Sequence, residues 1–339
     1  MTRARWLIAL VLINGFMSLL LVNAPLRAQT DATPPPTNTR HPTPTNVPTM
    51  PTLAAPTLAA TFIASPAGLI GGDLASWTPQ PISAQMAAYQ EHFVFSRPIG
   101  SDAVNYPARN YAYGSMDGGG RPVHHGDDFQ NPLGTPILAA ADGVVDYAGD
   151  DIRVMYGPMP NFYGNVIVIR HSFVDSSGQP VYTLYGHLSQ IGVRTGQAVQ
   201  QGSIIGLVGS AGVAVGAHLH FEVRVGTPTS YNATRNPELW VTPFSTYGAI
   251  AGRVTDLNGQ PVHSAVVEMQ NGSSYRSAET YGDNNVNGDS QLGENFATSD
   301  LPGGYYLVFI KSADGALLYR NTVLVTANKV SWLDIHIAS

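Results

Sequence analysis

The 339-residue chain contains no cysteine. A disulfide framework and a thiolate metal site are therefore both excluded, and any metal must be held by His, Asp, Glu or backbone oxygens. Charged residues make up only 12% of the chain, whereas there are 35 Gly and 25 Pro. That composition favours many short strands and turns over long charged helices. The formal net charge of -6 argues against a nucleic acid as the main partner.

Residues 1–28 combine a basic start with an apolar run. Arg3 and Arg5 precede the mostly apolar residues 6–22, and Leu26-Arg27-Ala28 ends in a small residue suited to cleavage. This pattern is typical of a secretory signal peptide. The alternative is an uncleaved membrane anchor, although about 17 residues is the lower limit for spanning a bilayer. Either interpretation places the rest of the chain outside the cytoplasm.

Residues 29–82 are predicted to be a disordered linker. The first part, to about residue 65, consists largely of Thr, Pro and Ala, as in Pro34-Pro35-Pro36-Thr37. Such a segment cannot bury a core and is expected to be extended and polyproline-like. Its expected role is to hold the folded part away from a membrane or through a wall layer. The alternative is an inert tail.

From residue 83 the chain changes to short apolar runs separated by glycine-marked turns. A short helix is predicted at 84–91. Strand-like runs follow at 136–140, 143–147, 166–169, 181–185 and 202–209. No long segment of helical period interrupts them. Residues 83–244 are therefore predicted to form a domain of mostly antiparallel strands.

The most regular pattern in the chain is the alternation of polar and apolar residues from His218 to Val225. A period of two predicts a half-buried strand whose polar side chains share one face. Those polar residues are His218, His220, Glu222 and Arg224. Two imidazoles on one face indicate a metal site, because neutral imidazole is a common zinc ligand; the alternative is an exposed pair. Alternation does not decide which histidine would bind.

A second polar cluster places His124 and Asp128 four residues apart. In an extended strand this spacing spans roughly 13 Å, which is too far for easy coordination of one ion. A helix would bring the two together, but Gly126 and the nearby Pro132 disfavour a helix. The remaining solution is a bend at Gly126, where glycine permits conformations that other residues resist.

A third candidate, His187, follows the apolar run at 181–185. If that strand runs straight, Tyr185 and His187 face the same side. A lone histidine at a strand end is more often a surface residue. His187 is therefore a candidate site residue only because the other two clusters are present.

In chain order the three clusters read His124-His125-Gly126-Asp127-Asp128, Tyr185-Gly186-His187 and His218-Leu219-His220. They resemble the motifs of the lysostaphin-type (LytM-like) zinc endopeptidases: a His-x-x-x-Asp element, a central catalytic His and a His-x-His element. The likeness covers about residues 90–226 and follows the order of the family. It departs in a long segment at 150–163 and in Asp127, where the family usually carries an apolar residue. Both departures bear on substrate preference.

The resemblance implies that His124, Asp128 and His220 bind zinc, with His187 and His218 as the catalytic pair. A catalytic zinc keeps three protein ligands and one position for water, whose pKa it lowers towards about 7. The implied function is hydrolysis of peptidoglycan peptide cross-bridges by a secreted, monomeric zinc metallo-endopeptidase. The alternative is a non-catalytic cell-wall-binding or hydrolase-activating module. Degenerate family members typically lose ligands, whereas all five positions are filled here.

The other histidines are not assigned to the site. His125 is expected to point away from the metal, and His171 is expected at a strand end. The remaining ones are treated as structural or exposed: His41, His92, His263 and His336.

Residues 245–339 are predicted to form a small β-sandwich, which makes the whole chain all-β. Strand-like runs begin at 248 and are followed by an Asn258-Gly259 turn and a second strand. Further runs lie at 265–269, 305–310, 322–325 and 332–337. The segments at 252–262 and 301–306 resemble carboxypeptidase regulatory-like, transthyretin-like domains. We expect this accessory domain to contact the cell wall or surface.

Residues 283–294 have the side-chain spacing of a calcium loop. Oxygen-bearing side chains fall at positions 1, 3, 5 and 12, with Gly288 at position 6 and a backbone carbonyl expected from position 7. The candidate calcium ligands are Asp283, Asn285, Asn287, Asp289 and Glu294. Because the flanks are not amphipathic helices, this would be a loop inserted between strands. The alternative is a solvated polar turn.

Overall fold

The structure is a computed structural model that describes residues 93–272, 274–282 and 286–338. The predicted signal peptide, the linker and the short helix at 84–91 lie outside these ranges. Within them the helices are two 3-10 turns, Tyr231–Ala233 and Pro237–Leu239. None of the described helices has the length and apolar character needed to cross a membrane. The all-β prediction is confirmed.

The strands follow the predicted apolar runs closely. In chain order they are β1 (Asp127–Gln130), β2 (Pro136–Leu138), β3 (Gly143–Asp150), β4 (Asn165–Val174), β5 (Pro180–Gly186), β6 (Gln190–Ile191), β7 (Ala198–Val199), β8 (Ile204–Leu207), β9 (His218–Val225), β10 (Thr234–Arg235), β11 (Tyr247–Asp256), β12 (Val266–Asn271), β13 (Ser274–Glu279), β14 (Phe296–Pro302), β15 (Gly304–Lys311), β16 (Leu317–Val325) and β17 (Val330–Ile337). The predicted strand after Asn258-Gly259 is reduced to a single bridge at Pro261. The sequence patterns missed β1, β13 and β14 and the two-residue strands β6, β7 and β10.

The larger N-terminal sheet has the strand order β1-β9-β5-β4-β3-β7, with β10 also paired to β9. Its strand pairs are antiparallel, and β2, β8 and β6 form a second small sheet. The register sets Asp128 opposite His220 on one side of β9 and Gly186 opposite His220 on the other. The three histidine and aspartate clusters of the sequence therefore meet at one end of β9.

The prediction that β9 is half-buried is wrong, because all eight of its residues are buried. Its apolar side chains, such as Phe221, enter the main core, as alternation predicts. Its polar face is covered as well, by Tyr163 and the segment that leads into β4. A polar face closed off from water must satisfy its charges internally, which explains the ion pair described below.

Residues 247–338 form two further sheets, ordered β14-β11-β17 and β13-β12-β15-β16. Side chains from both sheets share one apolar core, which includes Ile250, Met269 and Tyr306. The pairing of β11 with β17 is parallel, unlike the antiparallel pairs elsewhere in this region. Leu292 and Ala297 pack in the core of the preceding region. The described residues thus form one continuous unit.

Candidate metal centre

Three side chains from two distant parts of the sequence meet beside β1 and β9. The Nε2 atom of His124 lies 3.2 Å from Asp128 Oδ1 and 3.2 Å from His220 Nδ1. The His220 Nδ1 atom lies 3.0 Å from Asp128 Oδ1. Ligands held tetrahedrally at about 2.0 Å from a zinc ion are separated by about 3.3 Å, so this donor set fits zinc. It is the one group of three or more potential ligand residues found among the described residues.

The predicted bend at Gly126 is present, but its cause differs from the one expected. Gly126 does not adopt a positive φ. A Cβ atom there would lie 2.4 Å from Phe221 O and 2.9 Å from His220 Nε2. Glycine is therefore needed because the chain between His124 and Asp128 passes directly against β9.

Each imidazole of the group donates its outer N–H to a protein oxygen, which fixes the tautomer. His124 Nδ1 donates to the backbone oxygen of Tyr111 at 2.8 Å, and the Tyr111 ring stacks on the imidazole at 4.1 Å. His220 Nε2 donates to Glu222 Oε1 at 3.0 Å. In both rings the remaining nitrogen faces the shared centre with its lone pair. Such outer hydrogen bonds orient metal ligands and raise their basicity.

Glu222 is itself held by a buried network that sequence reasoning did not assign. It accepts hydrogen bonds from the Tyr163 hydroxyl and, at 2.6 Å, from Arg224 Nε. Burial alone would raise the pKa of Glu222, but the Arg224 charge and the His220 hydrogen bond outweigh it and hold the pKa well below the usual range. Glu222 and Arg224 were detectable on the polar face of the alternating strand. No sequence signal pointed to Tyr163.

His187 reaches the site because the chain turns sharply after β5. The expectation that Tyr185 and His187 face the same side required a straight strand, and the strand does not run straight here. His187 has a φ of +65°, a left-handed conformation that is unusual for a residue other than glycine. Tyr185 remains in the core, where its ring lies 5.3 Å from that of Phe221, whereas the His187 ring lies 4.8 Å from that of His218.

His187 and His218 are both oriented by backbone oxygens of one loop. His187 Nδ1 donates to Ala211 O at 2.8 Å, and His218 Nδ1 donates to Gly216 O at 3.1 Å. Burial, together with the neighbouring His220 and His218, lowers the pKa of His187 to about 3. Burial also lowers the pKa of His218. Both rings are therefore neutral near pH 7, with Nε2 available as a proton acceptor.

Residues 122–233 match the sequence profile of peptidase family M23. The chain is 39% identical over 109 residues to the DD-carboxypeptidase/endopeptidase Mpg of Neisseria meningitidis serogroup B. The matched residues cover 32% of this chain and 22% of that protein. It is 42% identical over 108 residues to the peptidoglycan DD-endopeptidase ShyA of Vibrio cholerae, with the same coverage of 32% and 22%. A solved mutant catalytic domain of the prophage-encoded M23 protein EnpA from Enterococcus faecalis is 30% identical, covering 42% of this chain and 95% of that domain with a TM-score of 0.33. Residues 122–233 therefore form a domain of peptidase family M23.

This family consists of zinc metallopeptidases, and the matched range contains the His-Asp-His group. The M23 part of the resemblance seen in the sequence is thereby confirmed. The chain spans 22% of the length of the Mpg and ShyA relatives. The transthyretin-like character of residues 245–339 stays a prediction.

The remaining described histidines lie outside the metal group. His125 points away from it, as expected, and its ring stacks on Tyr231 at 3.6 Å. His171 lies within β4 as a buried residue, with Nε2 bonded to Thr183 Oγ1 at 2.9 Å. His263 and His336 are exposed. His41 and His92 lie outside the described residues.

The two departures of the M23 domain from its family pattern have local explanations. Asp127 faces away from the metal group, towards Glu238 and Arg109, and burial beside Glu238 raises its pKa well above the usual range. In the long segment at 150–163, the Asp151 carboxylate accepts the backbone N–H groups of Tyr163, at 2.8 Å, and of Gly164, at 3.0 Å. Asp127 thus belongs to the contacts with Arg109 and Glu238, away from the metal group. Asp151 stabilises the backbone that leads into β4.

The predicted calcium loop is only partly described, because Asp283 and Asn285 lie outside the described residues. Asn287 Nδ2 donates to Asn232 O at 2.7 Å, which seats the loop on the M23 domain. The Glu294 carboxylate is buried and accepts the Tyr281 hydroxyl and the Asp289 backbone N–H, each at 2.8 Å. Calcium binding therefore stays a prediction.

Proposed function

We propose that the chain is an extracytoplasmic zinc metallo-endopeptidase that hydrolyses the peptide cross-bridges of peptidoglycan. The observation that carries this proposal is the convergence of His124, Asp128 and His220 on one point beside two neutral histidines. The named activities of the Mpg and ShyA relatives support peptidoglycan as the substrate. The signal-like residues 1–28 support a location outside the cytoplasm.

In this proposal His124, Asp128 and His220 hold the zinc ion. Bound zinc supplies Lewis-acid activation of water and of the scissile carbonyl group. The Nε2 atoms of His187 and His218 are the proton acceptors at the site, because both Nδ1 atoms already donate to backbone oxygens. One of these rings takes a proton during attack and returns it to the amine leaving group. A protonated ring can also donate a hydrogen bond to the oxyanion of the tetrahedral intermediate.

The M23 domain is proposed to occupy residues 83–244, with residues 245–339 as an accessory domain on a monomeric protein. The accessory domain is proposed to contact the cell wall or surface. Contacts between the two regions, such as the ion pair of Arg109 with Asp300, support a fixed arrangement of the accessory domain.

The metal assignment is tested by measuring zinc per chain in the purified full-length protein and in three Ala variants. The wild type is expected to hold about one zinc. His124→Ala, Asp128→Ala and His220→Ala are each expected to lose metal and turnover together. A His220→Ala protein with a full complement of zinc would contradict the assignment.

A further inference from the structure

The C-terminal region, residues 247–338, contacts one segment of the M23 domain. This segment comprises residues 111–124 and is here called the ligand segment. Glu279, the last residue of β13, accepts two hydrogen bonds from this segment through the same atom, Oε2. The donors are Ser115 Oγ at 3.0 Å and the Met116 backbone N–H at 3.1 Å. The carboxylate therefore fixes both a side chain and the backbone of the ligand segment.

Tyr113 provides a second attachment of the ligand segment. Its ring is buried and packs edge-on against Tyr281, with 5.1 Å between the ring centroids. Its hydroxyl lies 2.9 Å from Asn287 N and 3.1 Å from Asn287 O. The adjacent Gly114 has a φ of +78°, and a Cβ atom there would lie 2.5 Å from the Tyr281 ring. The two regions thus approach so closely that no residue larger than glycine fits at position 114.

The same segment holds His124. The Gly114 N–H donates to His124 O at 2.8 Å, and the His124 N–H donates to Ser115 O at 3.0 Å. Tyr111 completes the arrangement by accepting the outer N–H of the imidazole and stacking on its ring. The backbone and the ring of His124 are both fixed by residues that lie next to the contacts with the C-terminal region.

We propose that the C-terminal region is a positioning element of the metal centre and that Glu279 is a positioning residue that sets its zinc affinity through the ligand segment and His124. This inference rests on the proposed zinc site. Loss of the Glu279 acceptor releases Ser115 and Met116, and the ligand segment gains conformational freedom. Metal binding must then remove that freedom, which weakens the affinity. The C-terminal region thus acts on the metal without contacting it.

The test measures the zinc dissociation constant of the full chain by competition with a chromophoric chelator. Glu279→Ala is expected to raise the constant about tenfold, the low end of the range for outer-shell partners of metal ligands. Glu279→Gln is expected to return it towards the wild-type value, because an amide oxygen can accept the same two hydrogen bonds. The matched control is Glu268→Ala on the neighbouring strand β12. Glu268 contacts Tyr275 and Lys311 within the C-terminal region, so its loss should leave zinc affinity unchanged.

A second variant guards against a folding defect in Glu279→Ala. Tyr113→Phe keeps the ring against Tyr281 but removes the hydroxyl contacts with Asn287 and with Thr234 Oγ1, and it is expected to weaken zinc binding in the same direction. The inference is overturned, while the proposed zinc site stands, if neither variant changes zinc affinity. It is also overturned if Glu279→Ala fails to fold and Tyr113→Phe folds and binds zinc with wild-type affinity. A wild-type protein that binds no zinc would instead overturn the proposed function.

Discussion

Arg224 Nε lies 2.6 Å from Glu222 Oε2, and neither side chain has any exposed surface. The pair stands directly behind His220, whose Nε2 donates to the other carboxylate oxygen. A buried carboxylate without a cation pays a large desolvation penalty. Arg224 therefore keeps Glu222 ionised and able to orient the imidazole. One strand face supplies both a proposed zinc ligand and the charges that support it.

Replacing Arg224 with Met is expected to lower the free energy of unfolding by about 3–5 kcal/mol, because it leaves Glu222 buried without its partner. The measurement is urea denaturation of the metal-free full chain near pH 7. The control is Arg170→Met on β4, where the side chain is exposed and a change within about 0.5 kcal/mol is expected. Equal losses in the two variants would show that the buried pair has no special role.

The variants His187→Ala and His218→Ala are expected to fold and keep zinc but to lose about 10²–10⁴-fold in turnover, as is typical for general acid–base groups. Neither residue belongs to the group of three converging ligand atoms. The measurement pairs zinc content with the initial rate on a cross-linked peptidoglycan fragment. Near-wild-type turnover by either variant would remove that histidine from the proposed mechanism.

The resemblance to the lysostaphin-type endopeptidases predicted which residues would converge, but not what surrounds them. Alternation along β9 placed His218 and His220 on one face, and the awkward spacing of His124 and Asp128 predicted the bend at Gly126. These are local signals, readable from a few adjacent positions. The position of His187 depends on a single left-handed residue after β5, and a period of two cannot reveal such a turn.

Long-range contacts were harder to predict. Tyr111 lies 13 residues before His124 in the sequence and holds its ring through a backbone oxygen, which carries no sequence signature. Tyr163 reaches Glu222 from a segment 59 residues away. The burial of the polar face of β9 follows from the same segment. Tertiary packing of this kind overrides the local pattern of hydrophobicity.

The stability of the protein is expected to fall on acidification partly through His171. Burial lowers the pKa of His171 to about 4, against the effect of its hydrogen bond to Asp142 O. The unfolded value is about 6.5, so between these values the unfolded chain binds more protons than the folded chain. The contribution of His171 is therefore complete above about pH 6.5 and is lost as the pH falls towards about 4.

His171→Gln removes this titration. The free energy of unfolding falls between about pH 7 and about pH 4.5 in the wild type. In His171→Gln this fall is expected to be smaller by about 1–3 kcal/mol. The measurement is urea denaturation at both pH values. His263→Gln is the control, because that side chain is exposed and loses little hydration on folding. The same pH dependence of the unfolding free energy in His171→Gln and the wild type would show that His171 does not contribute to the loss of stability in acid.

Calcium is predicted to raise the melting temperature of the full chain by binding only the folded loop at 283–294. Burial and the neighbouring Asp289 raise the pKa of Glu294 to about 8, and a bound cation would favour its ionised form. The melts should compare calcium with magnesium at equal ionic strength and zinc content. Glu294→Gln is expected to abolish the calcium-specific shift and keep peptidase turnover. Identical melts of the wild type in the two salts would reduce this loop to a polar turn.

The His-Asp-His group and its two neutral histidines are proposed to cleave peptide cross-bridges in peptidoglycan. The most direct measurement is mass spectrometry of the muropeptides released from purified peptidoglycan by the zinc-loaded full chain. We expect the wild type to convert cross-linked species to uncross-linked ones by cleavage of a peptide bond, and His187→Ala with equal zinc content to leave them intact. Unchanged cross-linked muropeptides after treatment with the zinc-loaded wild type would refute the proposed activity and favour a non-catalytic wall-binding module.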